Sequence, residues 1–270
     1  MRPVAVLGNL SKDRVPGLGE ARVGGAPFYA ARALRDSYAR EIRIGTRCAE
    51  EDRDLCLAPL MALGHPVSWR PAKQTAAFSY GYQGDERFME VDTIADPWEL
   101  DGLRSWLEEL LEPVEWVHVA PLARCDFPPD TLEAIARGRR IVLDGQGLVR
   151  PERTGELRLD ADFDPALLTH VSALKLAEEE ALTILGEITA GALASLGVPE
   201  VLVTRGSRGA LVLADGALVE LPARAAEVGD PTGAGDAFCA IYTTARARGR
   251  SPVAAARQAT ALATVAVAGR

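Results

Sequence analysis

Short apolar runs alternate with amphipathic stretches along most of this 270-residue chain, and their order predicts alternating strands and helices. Residues 4–8 are a continuous apolar run closed by a glycine, the pattern of a parallel strand buried on both faces. Residues 26–34 predict a helix of small side chains, 40–45 a strand and 50–63 a second helix. Three strand-like pieces, 67–70, 76–82 and 87–91, then follow one another, rich in aromatic residues, with Gly81 and Gly84 as turn signals. From Asp96 the alternation resumes with a helix over 97–111, Asp96 serving as cap ahead of a proline at the first position. Strand 115–120, helix 129–137, strand 141–143, strand 171–176, helix 178–185 and strand 200–204 continue it. A hairpin of 210–213 and 218–221 turns at Asp215-Gly216, and helices over 235–248 and 253–268 close the chain. Such alternation predicts an α/β fold: a doubly wound, mostly parallel sheet with helices on both faces.

One segment carries more chemistry than any other. Val228-Gly-Asp-Pro-Thr-Gly-Ala-Gly-Asp236 places glycines and an acid directly before a predicted helix. Glycine weakens a helix, so Gly233 and Gly235 point to a backbone that something approaches closely. Amides at a helix start lack intrahelical partners and sit at the positive end of the dipole, which together make an anion site. An Asp there repels a phosphate unless the chemistry needs a base. Phosphoryl transfer to a hydroxyl has that need, with the amides holding the developing charge and Asp236 taking the proton. A plain helix cap is the competing reading.

Composition narrows the field without naming a substrate. Apolar residues at 48% and charged residues at 25% are ordinary for a globular protein, and 270 residues suffice for one sizeable α/β core. A net charge of −8 argues against a nucleic-acid surface. The four cysteines (Cys48, Cys56, Cys125, Cys239) and three histidines (His65, His118, His170) lack metal-ligand spacing and read as packing or surface residues. No apolar run is long enough to span a bilayer and no signal-peptide pattern opens the chain, so no membrane partner and a cytoplasmic location are expected. A P-loop motif is absent.

Asp230-Pro-Thr-Gly-Ala-Gly-Asp236-Ala-Phe resembles the C-terminal signature of the ribokinase-like (PfkB) carbohydrate and nucleoside kinases, with Pro231 as the one departure. The resemblance implies that Asp236 is the catalytic base and that the amides of Gly233, Ala234 and Gly235 form the anion hole. It also implies a single domain over residues 1–270, in which segments 10–23 and 67–92 form a small β lid over the acceptor. The strand-like pieces read from the residues alone equally extend the main sheet.

Further segments resemble family motifs. Thr204-Arg-Gly206-Ser-Arg-Gly209 is similar to the nucleotide-binding strand and loop, which implies ATP along Thr204, Gly206 and Gly209; a plain turn reads equally well. Lys175-Leu-Ala177-Glu-Glu-Glu180 is similar to Lys-x-Asn-x-x-Glu, which implies that Lys175 lies at ATP and that Glu180 holds Mg²⁺ through water. Ala177 stands where Asn is usual, and Glu178 and Glu179 read as surface.

Gly8-Asn9-x-x-x-Asp13 and Gly24-Gly25 are similar to acceptor-binding patterns, which implies that Asn9, Asp13, Gly24 and Gly25 bind the acceptor, with Tyr29 near a usual Asn. For Asn9 an Asx turn is the competing reading. Asp144-Gly-Gln146-Gly-Leu-Val-Arg150 resembles Asp-x-Asn-x-Arg and adds Arg150 to the acceptor site; Arg150 and Arg87 read equally as solvated surface. Thr75-Ala-Ala-Phe78-x-Tyr80-x-Tyr82, ending near Arg87, resembles lid strands over the acceptor, and this segment and Asp144–Arg150 most resemble the inositol and nucleoside kinase branches.

The expectation is therefore an ATP- and Mg²⁺-dependent kinase of a small polyhydroxylated acceptor, a sugar, a cyclitol such as myo-inositol, or a nucleoside. A monovalent cation as further cofactor and a homodimer through the lid are also what the resemblance implies. Two alternatives stand beside it: a non-catalytic sugar or nucleotide sensor on the kinase fold, and a phosphosugar kinase using Arg22, Arg87 or Arg150.

Overall fold

The computed structural model describes residues 3–15, 19–38, 42–83, 86–223 and 232–268. The strands are, in chain order, β1 (Val4–Asn9), β2 (Ser11–Arg14), β3 (Arg22–Gly24), β4 (Ile42–Ala49), β5 (Val67–Ala72), β6 (Ala76–Gln83), β7 (Glu86–Thr93), β8 (Trp116–Val119), β9 (Arg140–Asp144), β10 (Gly155–Glu156), β11 (Ala173–Ala177), β12 (Glu200–Thr204), β13 (Ala210–Ala214) and β14 (Ala217–Leu221). The helices are α1 (Ala26–Tyr38), α2 (Arg53–Met61), α3 (Leu100–Leu111), α4 (Pro129–Ala136), α5 (Gln146–Val149), α6 (Glu178–Leu185), α7 (Ala190–Ala194), α8 (Ala234–Ala247) and α9 (Pro252–Ala268).

A nine-stranded sheet runs β14-β13-β12-β11-β9-β8-β1-β4-β5. Its neighbours are parallel from β5 to β12, and the β13–β14 hairpin finishes the edge antiparallel. Strand alternation explains why the central strands read as unbroken apolar runs. Val4 and Val6 of β1 pack toward α1, α2, α8 and α9. Ala5 and Leu7 of the same strand pack toward α3, α4, α6 and α7. Both faces are buried, so most positions are apolar, with His118 of β8 and Lys175 of β11 among the buried exceptions. Burial of each leucine stabilises the fold by roughly 1.5–3 kcal/mol.

A second sheet, β10-β7-β6-β2-β3, stands apart from the first. Against it, Ala76, Phe78, Val91, Ala95 and Leu122 form a small apolar cluster, of which Phe78 and Leu122 also border the cleft. Residues 67–72 depart from the expected lid segment. They pair in parallel with β4, from Ile44 opposite Val67 to Ala49 opposite Ala72, and so complete the edge of the large sheet. Side chains lock that choice: the Trp106 indole donates to Ser68 at 2.6 Å and Arg47 donates to the Pro71 carbonyl. An edge strand also tolerates Pro71. The expected lid pieces over 16–18 and 84–85 lie outside the described residues, as does the Arg87 side chain.

The helix expected from residue 97 starts at Leu100. The backbone ahead of it is already engaged. Asp96 accepts from the Lys73 and Gln74 amides, the Pro97 carbonyl accepts from Arg47 at 2.7 Å, and the Trp98 amide donates to the Asp126 carbonyl at 2.8 Å. Asp96 thus closes the turn into β6 instead of capping a helix.

Candidate active site

The carboxyl ends of β9, β11 and β12, the start of α8 and the inner face of the small sheet enclose a cleft of about 740 Å³. In open parallel sheets ligands bind outside the carboxyl ends of strands, so the topology itself nominates this place.

At its floor, α8 begins at Ala234 after Gly233, whose φ of +79° is a left-handed conformation. A Cβ at Gly233 would overlap the ring of Tyr29 from α1, so both the backbone conformation and the neighbour require glycine here. A Cβ at Gly235 would come within 3.0 Å of the Lys175 ammonium, so the cation lies close over the helix's first turn. Asp236 sits in that same turn and lines the cleft. The amides of the turn lack intrahelical acceptors by position. Residues 228–231 of the motif lie outside the described residues.

A buried charge network supports this floor. The Lys175 ammonium lies 3.2 Å from Asp144 Oδ1 and 3.9 Å from Glu180 Oε2. Burial alone lowers a lysine, but the Asp144 and Glu180 carboxylates outweigh it and hold Lys175 above the ordinary ammonium range. Burial raises Asp144, and Lys175, then His118 and the Gln146 amide, carry it below the usual carboxylate range. Asp236 goes the other way. Burial, and then the negative charge of Asp144, push its carboxyl up to about 7, against the opposing pull of Lys175 and Arg150. Two acids of one cleft are driven apart in acidity, the arrangement that separates a fixed anion from a proton acceptor. Burial also raises Glu180, with Lys175 opposing, while the Ala177 amide donates to its Oε2 at 2.7 Å.

The residues singled out from the sequence do not all converge. Asp13, Gly25, Arg150, Lys175, Glu180, Thr204, Gly233, Gly235 and Asp236 line the cleft. Asn9 does not: it is buried, and its side-chain carbonyl accepts the Trp98 indole N–H at 2.8 Å. Gly24 lies behind Asp13, where a Cβ would collide with that carboxylate; Ser11 donates to the Asp13 Oδ1 at 2.8 Å. Gly206 opens a 3₁₀ turn, and Gly209 packs its backbone against Leu221 and Ala223. Ala234 contributes through its place in the α8 turn.

The structure also adds residues. Glu179, read as surface, lines the cleft, as do Asp144, Gln146, Glu156 and Leu157. Asp144 carried a signal, since an acid closing an apolar strand is conspicuous. Glu156 and Leu157 carried none, because β10 is too short to show a period.

A doubly wound α/β sheet with a glycine-flanked acid at a helix start, facing a second small sheet across a cleft, is an arrangement suited to phosphoryl transfer. Residues 72–270 match the model of the pfkB family of carbohydrate kinases. The chain belongs to that family. A cytidine kinase of Thermococcus kodakarensis is 29% identical over 177 residues, a match spanning 60% of this chain and 60% of that protein. Many solved structures share the fold. A pyrophosphate-dependent kinase of the ribokinase family, complexed with a pyrophosphate analog and myo-inositol, is 24% identical with a TM-score of 0.80, covering 98% of this chain and 94% of its own. Ribokinase of Arabidopsis thaliana, complexed with ribose and ATP, is 22% identical with a TM-score of 0.71, covering 98% and 92%. No described helix is long and apolar enough to cross a membrane.

Proposed function

We propose that this chain transfers the terminal phosphoryl group of ATP to a hydroxyl of a small neutral polyhydroxylated acceptor, a sugar, cyclitol or nucleoside, with Asp236 as the base. The observation that carries the reading is the position of Asp236: in the first turn of α8, beside Gly233 and Gly235, with its carboxyl raised to about 7. A carboxylate of that basicity takes a hydroxyl proton near neutral pH more effectively than an ordinary one.

Lys175 and the Gly233–Gly235 amides hold the charge of the transferring group. Asp13, fixed by Ser11, accepts hydrogen bonds from acceptor hydroxyls across the cleft. Phe78, Tyr80 and Met89 cover the acceptor's other side and exclude water. Glu180 fits a water-mediated Mg²⁺ contact, since it is a buried carboxylate at the cleft wall and hard cations take oxygen ligands. Bound there, Mg²⁺ would neutralise donor phosphate charge. Thr204, at the end of β12, borders the donor side. A second copy pairing through the small sheet, where Phe88 is 39% exposed, belongs to the same proposal and is read by sedimentation.

The test is product formation from Mg-ATP, and separately from Mg-pyrophosphate, over a panel of myo-inositol, other cyclitols, pentoses, hexoses, hexose phosphates and nucleosides. Turnover of one neutral acceptor with ATP supports the proposal. Turnover with pyrophosphate alone replaces the donor and keeps the acceptor class. Donor binding with no turnover of any acceptor rejects the enzyme reading in favour of a sensor.

A further inference from the structure

Beneath the cleft floor, three side chains far apart in sequence meet in the core. His118 from β8, Asp144 from the end of β9 and Cys239 from the second turn of α8 offer one ligand atom each, all within 4.8 Å of one another. All three are buried, His118 and Cys239 completely. Spacing along the chain gave no hint of this grouping, because parallel strands and a helix from separate parts of the sequence build it.

His118 is the informative member. Neither of its ring nitrogens has a hydrogen-bond partner among the described residues, although the ring is sealed from solvent. A buried imidazole with a donor and an acceptor both unmet costs about 1–3 kcal/mol for each unsatisfied group. Natural cores rarely leave such groups without a partner, and an ion is one of the partners that meets the need. Val6 and Val142 stand opposite it on the neighbouring strands, and neither offers its ring a hydrogen bond.

The rest of the geometry is suited to a metal. The Cys239 sulfur lies 3.9 Å from Asp144 Oδ2. Ligand atoms of a tetrahedral zinc centre lie roughly 3.3–3.8 Å apart, given bonds of about 2.0–2.3 Å. The three ligand atoms, up to 4.8 Å apart, would have to draw in by about 1 Å on binding. The donor set is one sulfur, one nitrogen and one oxygen, which favours a borderline or soft divalent ion over Mg²⁺. The fourth position is left to water, and Asp144 lines the cleft and so gives an approach from solvent.

We propose that His118, Asp144 and Cys239 form a second cation site, for Zn²⁺ or a similar borderline divalent ion, distinct from the Mg²⁺ contact at Glu180. On binding, the Cys239 thiol releases its proton to solvent and a sulfur–metal bond forms, with no change in oxidation state. Thiolate and carboxylate then balance the two charges of the ion.

Asp144 links the site to the cleft. The same carboxylate that faces Cys239 holds the Lys175 ammonium, at 3.2 Å through Oδ1 and 3.4 Å through Oδ2. An ion on Asp144 competes with Lys175 for that carboxylate and loosens the cation from its place over Gly235. Zn²⁺ therefore slows phosphoryl transfer. That consequence rests on the proposed kinase activity; the binding itself does not.

Metal uptake is tested on the full chain without substrates. Co²⁺ titration should give a thiolate-to-metal charge-transfer band saturating at one equivalent, and Zn²⁺ should displace it. Cys239→Ala should abolish the band and weaken binding by more than about 100-fold, beyond the loss an outer-shell contact brings. Cys125→Ala should leave both unchanged. Zinc-edge absorption on the wild type reads the shell without any variant, so a poorly folding Cys239→Ala does not remove the test; one sulfur with nitrogen and oxygen scatterers is expected. No stoichiometric uptake, a shell without sulfur, or a band that survives in Cys239→Ala overturns the site. Uptake without any turnover in the acceptor panel leaves the site standing and sinks only the kinase reading.

Discussion

The floor of the cleft carries Asp144 and Lys175 at strand ends and Glu180 and Asp236 in the first turns of helices. The roof offers Phe78, Tyr80, Phe88 and Met89 from two strands of the small sheet. Floor residues are tied to one another through ion pairs and backbone amides inside the main core. In the roof, Phe78 belongs to a cluster of only five buried side chains, Tyr80 and Met89 pack against it, and Phe88 is 39% exposed. The difference divides the labour. A rigid, charged floor suits an invariant phosphoryl transfer, and a weakly anchored apolar roof suits selection of the acceptor and motion around it.

The sharpest way to break this division is to disarm the floor. Asp236→Asn should lower kcat by about 10²–10⁴-fold, the range for loss of a general base, while donor affinity measured by calorimetry stays within about twofold. The same variant has a stability signature. Native Asp236 keeps its proton up to about 7, whereas the ordinary carboxyl value is 3.8. Between those values the folded state binds more protons than the unfolded one, so this group's contribution to stability falls as pH rises. Asp236→Asn removes that fall, and each kcal/mol regained should raise the melting temperature at pH 8 by about 2–4 °C.

Lys175→Met should cost about 3–5 kcal/mol of stability, because Asp144 is left buried without its cation. Chemical denaturation measures it. Gly233→Ala should come next, losing about 1–3 kcal/mol to the left-handed φ and collision with Tyr29, with kcat falling about tenfold. The smallest effect belongs to the roof. Tyr80→Ala should raise the acceptor KM by about tenfold, roughly 1.4 kcal/mol, with kcat within about twofold. Equal kcat losses at Tyr80 and at the floor would erase the distinction between the two regions.

How much of this was legible in the sequence follows the same division. The doubly wound sheet shows because strands buried on both faces are apolar at most positions, as in residues 4–8. The α8 start shows because glycines before a helix are costly and so conspicuous. Residues 67–72 did not declare their sheet, since pairing with β4 depends on tertiary contacts of Ser68 and Pro71. Asn9 looked like an acceptor ligand and serves Trp98 instead, a partner 89 positions away that no local pattern marks. The Asp144–Lys175 pair and the His118–Asp144–Cys239 group likewise arise only when separate strands, and α8 across them, are brought together.

The most direct test of the central claim is the pH dependence of kcat/KM for the acceptor identified by the panel. The rate should rise with pH through an inflection near 7 as Asp236 ionises, and the residual Asp236→Asn rate should lack that limb. An acidic limb of the same shape and midpoint in Asp236→Asn, at comparable kcat, would contradict it.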